Sequence, residues 1–398
     1  MAQSKKSGVE LTDEKSSEEI KSESKGLKSE ESKKNRSAGK RRNIDCNKNK
    51  INIVDFKKVI VDKTKDKSKA AIFTHSSPDP DAIGSMMGMV WFLKKEFDLD
   101  SDCFYGGGIS HPQNMAMCNL LEPGLKLFDE YEEIDYGLRV LVDTIPSNAS
   151  VGDKQVDFDI VVDHHKESPT ASFKGLYINL AAGSACGTVF ELIKEFQNSF
   201  DSNSDYDTRV ATALMVGIIT DTENMMSDDT TEYEFDAYWK LFEFRDAISL
   251  KQIVRFKRPK AWIDAKAAAS ATAIIDSDGV AVVGMGIIPH KQRDLISDMA
   301  DEMVQWSSVE TSISFALIDG DRIEGSVRTN NASISVPDLC KILGGKYGTG
   351  GGKLGKGAYK YDLGGMSIEE EDEDDTKKKA WEFINEKETK RIFRSIKK

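Results

Sequence analysis

The chain has 398 residues, with 55 Lys and Arg against 67 Asp and Glu, a formal net charge of −12. That length suits two ordinary domains plus tails, and the acidic balance excludes a surface that grips long nucleic acid throughout, since phosphate neutralisation needs clustered Lys and Arg. No apolar run reaches the roughly 18 residues of a membrane span, and Cys46, Cys103, Cys118, Cys186 and Cys340 are scattered without C-x-x-C spacing, which speaks against a disulfide framework or zinc knuckle and fits a reducing cytoplasm.

Residues 1–50 are rich in Lys, Ser, Glu and Asn, with almost no large apolar side chains. Such a segment cannot bury enough surface to offset its ordering entropy, so it reads as a disordered charged tail. It lacks the apolar centre of a secretory signal, and its basic cluster Lys33–Arg42 reads as solvated. The pattern changes at Ile51. Ala70–Thr74 is a short apolar run of strand formers. Ala82–Phe97 carries helical spacing through Ile83, Met86, Met87, Val90 and Leu93. Val140–Val142 and Ile160–Val162 are short, continuous and bounded by charge, as buried parallel strands are. Helical stretches follow at Gly187–Phe196 and Thr208–Ile219. This alternation predicts an α/β domain over 51–256 with a mainly parallel sheet.

A linker over Lys257–Lys266 leads into a smaller α/β unit over 267–365. Its predicted strands are Val280–Val283, Ser312–Ile318 and Ile323–Val327, its helices Asp294–Trp306 and Val336–Leu343. A glycine-dense loop, Gly344–Gly357, follows. Residues 366–398 read as a charged C-terminal tail, with an acidic run over Glu369–Asp375 and a Lys-rich stretch of helical character beyond it.

Four segments carry chemistry, each where an apolar run stops. They are Thr74–Ser85, which holds the spacing H-x-x-x-D-x-D, then Val142-Asp143-Thr144, Val162-Asp163-His164-His165, and Gly217–Thr222 with Asp221. One Asp at such a place is ordinarily a turn former or helix cap. Here three of the chain's five His lie in the same segments. In open α/β sheets ligands bind beyond the carboxyl ends of the strands, so these groups can converge on one crevice. The donors are nitrogen and oxygen without thiolate, which suits Mn²⁺ and tolerates Mg²⁺. They outnumber what one tetrahedral ion needs, so two ions sharing a bridging carboxylate is the economical reading.

His75, Asp79, Asp81, Asp143, Asp163-His164-His165 and Asp221 resemble the four motifs of the DHH phosphoesterase superfamily, closest to its DHH–DHHA1 group of oligoribonucleases and pAp phosphatases. The resemblance covers about Lys69 to Tyr361. It implies a parallel-sheet DHH domain followed by a smaller α/β DHHA1-like domain. It implies that His75 and Asp79 hold one metal, that Asp81, His164 and Asp221 hold another, and that Asp143 bridges both. His165 would then exchange a proton or hydrogen bond with the leaving oxygen, and Asp163 would orient the imidazoles. The family likeness also extends to Ile109–Asn114, where His111 and Asn114 either touch substrate or stabilise the loop.

DHHA1 domains carry a strand arginine and a G-G-G-H loop. This chain has Arg328 and, at the loop, Gly350-Gly351-Gly352 followed by Lys353 in place of His. A guanidinium can clamp a terminal phosphate through paired hydrogen bonds, and glycines let backbone approach phosphate. Lys353 keeps the charge but loses a ring that could stack on a base. The expected function is two-metal hydrolysis of short nucleotides: short RNA, pAp, or cyclic and linear dinucleotides. An inorganic pyrophosphatase or polyphosphatase of the same superfamily, or a non-catalytic nucleotide-binding protein, are the alternatives. Expected partners are the nucleotide substrate and, for assembly, a second copy in a homodimer, with no membrane.

Overall fold

The computed structural model describes residues 51–65, 69–152, 155–368 and 373–396; the N-terminal tail over 1–50 lies outside the described residues. Helix α1 (Ile53–Lys63) precedes six strands and four helices of the first domain: β1 (Lys69–Phe73), α2 (Pro80–Phe97), β2 (Asp100–Tyr105), α3 (Pro112–Leu121), β3 (Leu125–Leu127), β4 (Leu138–Val142), β5 (Ile160–Val162), β6 (Leu176–Ile178), α4 (Ala185–Glu195) and α5 (Asp205–Asp221). The strands form one parallel sheet in the order β3-β2-β1-β4-β5-β6. The order reverses between β1 and β4, which opens a crevice at their carboxyl ends.

Side chains alternate across each strand, so a sheet covered on both faces must be apolar at every position. β1 obeys this. Ala70 and Ile72 join the core beneath α2, α4 and α5 with Met86, Val140 and Leu214. Ala71 and Phe73 face the opposite way, into Phe104, Tyr131, Leu141 and Phe158. Phe73 and Tyr131 meet edge to face at 5.0 Å.

Helices α6 (Glu232–Leu241), α7 (Ala247–Val254) and α8 (Lys260–Thr272) lead to the second domain. The segment read as a linker, Lys257–Lys266, therefore enters a helix at Lys260. Trp262 and Lys266 on that helix are buried, and Lys266 pairs with Asp298 at 2.7 Å. The second domain contains β7 (Ile274–Ile275), β8 (Val280–Ile288), α9 (Asp294–Met303), β9 (Thr311–Ile318), β10 (Arg322–Thr329), α10 (Val336–Gly344), β11 (Thr349–Lys353), β12 (Lys356–Asp362) and α11 (Asp374–Ile396). Its mixed sheet runs β11-β12-β10-β9-β8-β7 with only β8 and β9 parallel.

Two expectations are corrected here. The glycine-dense segment is not a loop: β11 and β12 form an antiparallel hairpin closed by Leu354-Gly355. The C-terminal segment, read as a charged tail with a helical stretch, is part of the second domain's packing. α11 docks on the mixed sheet through buried Ile384 and Ile392, with Trp381 against Phe315 at 6.0 Å. Its buried Glu388 accepts hydrogen bonds from Tyr359 Oη and Tyr361 Oη at 2.9 and 2.8 Å. The high charge of this segment conceals one narrow apolar stripe, and the stripe decides where it packs. Among the described residues, Cys103, Cys118, Cys186 and Cys340 are free thiols, and no helix is long and apolar enough to cross a membrane.

Candidate metal centre

Three of the four motifs sit where the sequence puts them, at the carboxyl ends of β1, β4 and β5. The fourth arrives differently: Asp221 is the last residue of α5 rather than a residue at a strand end. Asp79 caps α2, its Oδ1 accepting from the amides of Asp81 and Ala82 at 3.0 Å. Pro80 begins that helix, where a missing N–H costs nothing, and Asp81 follows in its first turn, buried. Asp143 follows β4 directly, in the left-handed region with φ of +57°. A β-substituted residue held there stores backbone strain, which is characteristic of functional sites.

The side chains form two adjoining groups. Ligand atoms of His75, Asp79 and Asp143 lie within 4.8 Å of one another, and so do those of Asp81, His164 and Asp221. Asp143 stands between them. Its Oδ2 is 3.4 Å from His75 Nε2 and its Oδ1 is 3.4 Å from His164 Nε2. His164 Nε2 also lies 3.4 Å from Asp221 Oδ2 and 3.9 Å from Asp81 Oδ2.

Electrostatics show what this cluster lacks. Burial and the neighbouring Asp143 charge raise the carboxyl pKa of Asp79, and raise that of Asp81 well above the usual range. Burial disfavours charge on His75 and His164, yet the close approach of Asp143 and the surrounding carboxylates outweigh it and push both up to about 10. Asp143 moves the other way, held low against burial by the two imidazoles. The four raised values, of Asp79, Asp81, His75 and His164, mark a surplus of negative charge in one small volume. Among the described residues, Asp143 Oδ1 and Asp221 Oδ2 are buried with no hydrogen-bond partner. Buried carboxylate oxygens are normally satisfied, so these orphans, with Nε2 atoms beside them, fit divalent cations bound by nitrogen and oxygen.

His164 and His165 are adjacent but differently placed. The His164 side chain is 7% exposed and faces the carboxylates, whereas that of His165 is 49% exposed. Asp163 Oδ1 meets His165 Nδ1 at 2.8 Å and accepts from the His164 amide at 2.8 Å. A His165 ring nitrogen nevertheless comes within 4.8 Å of ligand atoms of Asp143 and His164.

Some determinants carry no letter in the sequence. Asp81 accepts hydrogen bonds from the Ala185 and Cys186 amides at 2.6 and 2.9 Å, so the first turn of α4 grips a proposed ligand. Ser184 is a recognisable helix cap, but a cap does not reveal what the neighbouring amides point at. Gly217 brings α5 close: a Cβ there would lie 2.9 Å from the Asp81 Cα.

The second domain contributes unequally. Lys353 Nζ lies 3.8 Å from Asp221 Oδ2, and Lys356 Nζ lies 3.3 Å from Glu223 Oε1, so the hairpin tip reaches the centre. Arg328 does not reach it. Its Nη2 donates to Asp301 Oδ2 at 3.2 Å, its Nε donates to Asp301 Oδ1, and its Nη1 donates to Ser326 Oγ at 2.7 Å. Gly350 and Gly352 are packing positions, a Cβ on Gly350 falling 1.9 Å from the Cys340 carbonyl oxygen, while Gly351 faces open space. His111 caps α3, accepting from the Gln113 amide through Nδ1 at 3.2 Å, and packs against Phe256 and Trp262; burial lowers its pKa. Asn114 is buried and donates to the Pro78 carbonyl at 3.0 Å, bracing the loop that carries Asp79.

Residues 69–218 match the DHH family, N-terminal domain. The chain is 30% identical over 311 residues to an uncharacterized protein of Methanocaldococcus jannaschii, covering 76% of this chain and 60% of that protein. It is 28% identical over 165 residues to a probable manganese-dependent inorganic pyrophosphatase of Streptococcus equi subsp. zooepidemicus, covering 41% of this chain and 51% of that one. The chain thus spans little more than half the length of these curated relatives. The crystal structure of an exopolyphosphatase-related protein from Bacteroides fragilis superimposes with a TM-score of 0.58 at 17% identity, covering 84% of this chain and 96% of that one, a likeness of fold.

Proposed function

We propose that this chain, a member of the DHH family through its domain over residues 69–218, is a metal-dependent phosphoesterase that hydrolyses short nucleotides. The observation that carries the reading is the pair of ligand triads meeting at Asp143. In this reading His75 and Asp79 hold one divalent cation, Asp81, His164 and Asp221 hold a second, and Asp143 serves both. Mn²⁺ suits the donor set, in keeping with the streptococcal relative's name. Such ions, when bound, acidify water and neutralise charge on phosphoryl oxygens. Asp163 fixes the His165 ring through Nδ1, which leaves Nε2 to exchange a proton with the departing oxygen. Lys353 supplies a cation for a phosphate that is not cleaved.

A second reading, hydrolysis of a condensed phosphate such as pyrophosphate, is favoured by one feature. Lys353 and Lys356 are paired directly across the hairpin beside Asp221 and Glu223, and with a divalent ion on Asp221 the two like charges would repel unless a compact anion lay between them. The test is a turnover screen of the purified full chain with Mn²⁺ against pAp, dinucleotide RNA, a cyclic dinucleotide, pyrophosphate and bis-p-nitrophenyl phosphate. Turnover of pAp or dinucleotide RNA, lost on chelation and restored by Mn²⁺, is expected. Preference for pyrophosphate selects the second reading. Chelator-resistant turnover overturns both.

A further inference from the structure

Glu234 is fully buried, and it lies outside every motif that carries the metal chemistry. Its Oε2 accepts from the Thr231 amide at 2.9 Å and from Thr231 Oγ1 at 2.7 Å, the capping box of α6. A capping box needs no more than that. Yet Oε1 turns to a different element. It accepts from the Gly183 amide at 2.9 Å and from Ser184 Oγ at 3.4 Å. The amides of the two residues after Ser184, Ala185 and Cys186, hold the Asp81 carboxylate.

The packing is built around this approach. A Cβ on Gly187 would fall 2.3 Å from Glu234 Oε1. A Cβ on Gly183 would fall 3.2 Å from Glu234 Oε2 and 3.2 Å from Thr222 Cγ2, next to Asp221. The short segment Gly183–Cys186 therefore holds the Asp81 carboxylate and packs beside Thr222, the chain neighbour of Asp221, and Glu234 is the side chain that fastens it.

We infer that Glu234 is a positioning residue of the metal centre: by fastening Gly183 and Ser184 it aims the first amides of α4 at Asp81, and so sets the affinity of the cation held by Asp81, His164 and Asp221. The inference rests on the proposed reading of those three residues as ligands of one ion. Groups that hold a ligand in place typically change metal affinity by about 10- to 100-fold when removed. The cation of His75 and Asp79 does not depend on this segment.

The experiment is a calorimetric Mn²⁺ titration of the full chain. Wild type is expected to bind two ions. Glu234→Gln keeps the shape but turns donors toward donors; it should weaken one site about 10- to 100-fold and leave the other within about twofold. Asp81→Asn should weaken the same site, and the double variant should bind no more weakly than Asp81→Asn alone, since both changes act on one interaction. A residue that merely stabilises the fold would give additive losses. Gly187→Ala is the independent variant: its methyl displaces the Glu234 carboxylate without removing charge, and the same one-site loss is expected. It carries the test if Glu234→Gln does not fold. Equal losses at both sites, unchanged affinities, or additivity in the double variant overturn the inference while two-ion binding by wild type stands. A wild-type chain that binds no Mn²⁺ instead overturns the metal-centre reading on which the inference rests.

Discussion

Asp143 concentrates the chemistry at the scale of single residues, because each of its oxygens faces a different imidazole. Asp143→Ala is therefore expected to abolish turnover and to lose both ions together, as metal analysis of the folded variant would show; retention of near wild-type rate with Mn²⁺ would sink the bridging assignment. The adjacent histidines separate the two roles. His164→Ala should lose metal. His165→Ala should keep it while kcat falls by about 10²–10⁴, the usual range for a positioned acid–base group. Equal metal loss in the two variants would erase that distinction, and the closeness of a His165 nitrogen to Asp143 makes the comparison a demanding one. The proposed ligands were visible in the sequence because metal chemistry demands particular letters at H-x-x-x-D-x-D and D-H-H, and the fold gathers them into neighbouring groups. What aims them was not visible. The grip on Asp81 comes from backbone amides, which every residue but proline possesses, and the two residues just before those amides, Gly183 and Ser184, are held by Glu234, 51 positions downstream of Gly183.

Elements were legible where burial alone decides them and illegible where position in the fold decides them. β1, β4 and β5 are covered on both faces and read as apolar runs. β2 is not, and one of its residues shows why. Asp102 ties three parallel strands together: Lys69 of β1 at 2.6 Å, Lys126 of β3 at 3.1 Å, and Tyr136 Oη, which donates at 2.6 Å. A strand carrying Asp at that place lacks an apolar pattern, yet the carboxylate is a fastening. Burial opposes its charge, but Lys69, Tyr136 and Lys126 outweigh burial and hold its pKa down to about 2. A depressed carboxyl pKa stabilises the fold above the unfolded value and loses that contribution as pH falls through the folded value. Wild type should thus melt above Asp102→Asn near neutral pH, and the gap in Tm should close as pH falls from about 4 toward about 2. A gap that persists at the acid end would assign the difference to packing. α11 makes the complementary point: its composition speaks of a solvated tail, but Ile392 is fully buried. Ile392→Ala should cost about 2–5 kcal/mol, as core truncations do, measurable as a lowered denaturation midpoint. A change below about 0.5 kcal/mol, the range of ordinary surface substitutions, would mean that the helix does not dock.

At the scale of the whole molecule, the two sheets divide the work, and the hairpin tip is where they meet the chemistry. Every proposed ligand lies in the first domain, while the second brings Lys353 to 3.8 Å from Asp221 and Lys356 to 3.3 Å from Glu223. The sequence marked both Arg328 and Lys353 as cations for substrate, Arg328 as a clamp for a terminal phosphate and Lys353 as a charge in place of the family His. The fold separates them. Arg328 spends its guanidinium on Asp301 and Ser326 within the second domain, a contact set by tertiary packing and invisible in a motif. Lys353 faces the centre with its side chain 36% exposed. A divalent ion on Asp221 would repel an ammonium beside the same oxygen, and an anion between them relieves that repulsion. A substrate with a second phosphate provides that anion; a small diester does not. Lys353→Ala should accordingly lower kcat/KM about 10- to 100-fold for a substrate bearing a second phosphate, the worth of about 1.5–3 kcal/mol for a charge-assisted contact. The same variant should leave bis-p-nitrophenyl phosphate hydrolysis nearly unchanged. Arg328→Ala should affect both substrates alike, through the stability of the second domain. The deciding measurement is kcat/KM on both substrates in both variants. Equal losses in Lys353→Ala would mean that the lysine supports the centre itself, and a selective loss in Arg328→Ala would mean that the guanidinium leaves Asp301 to hold the substrate.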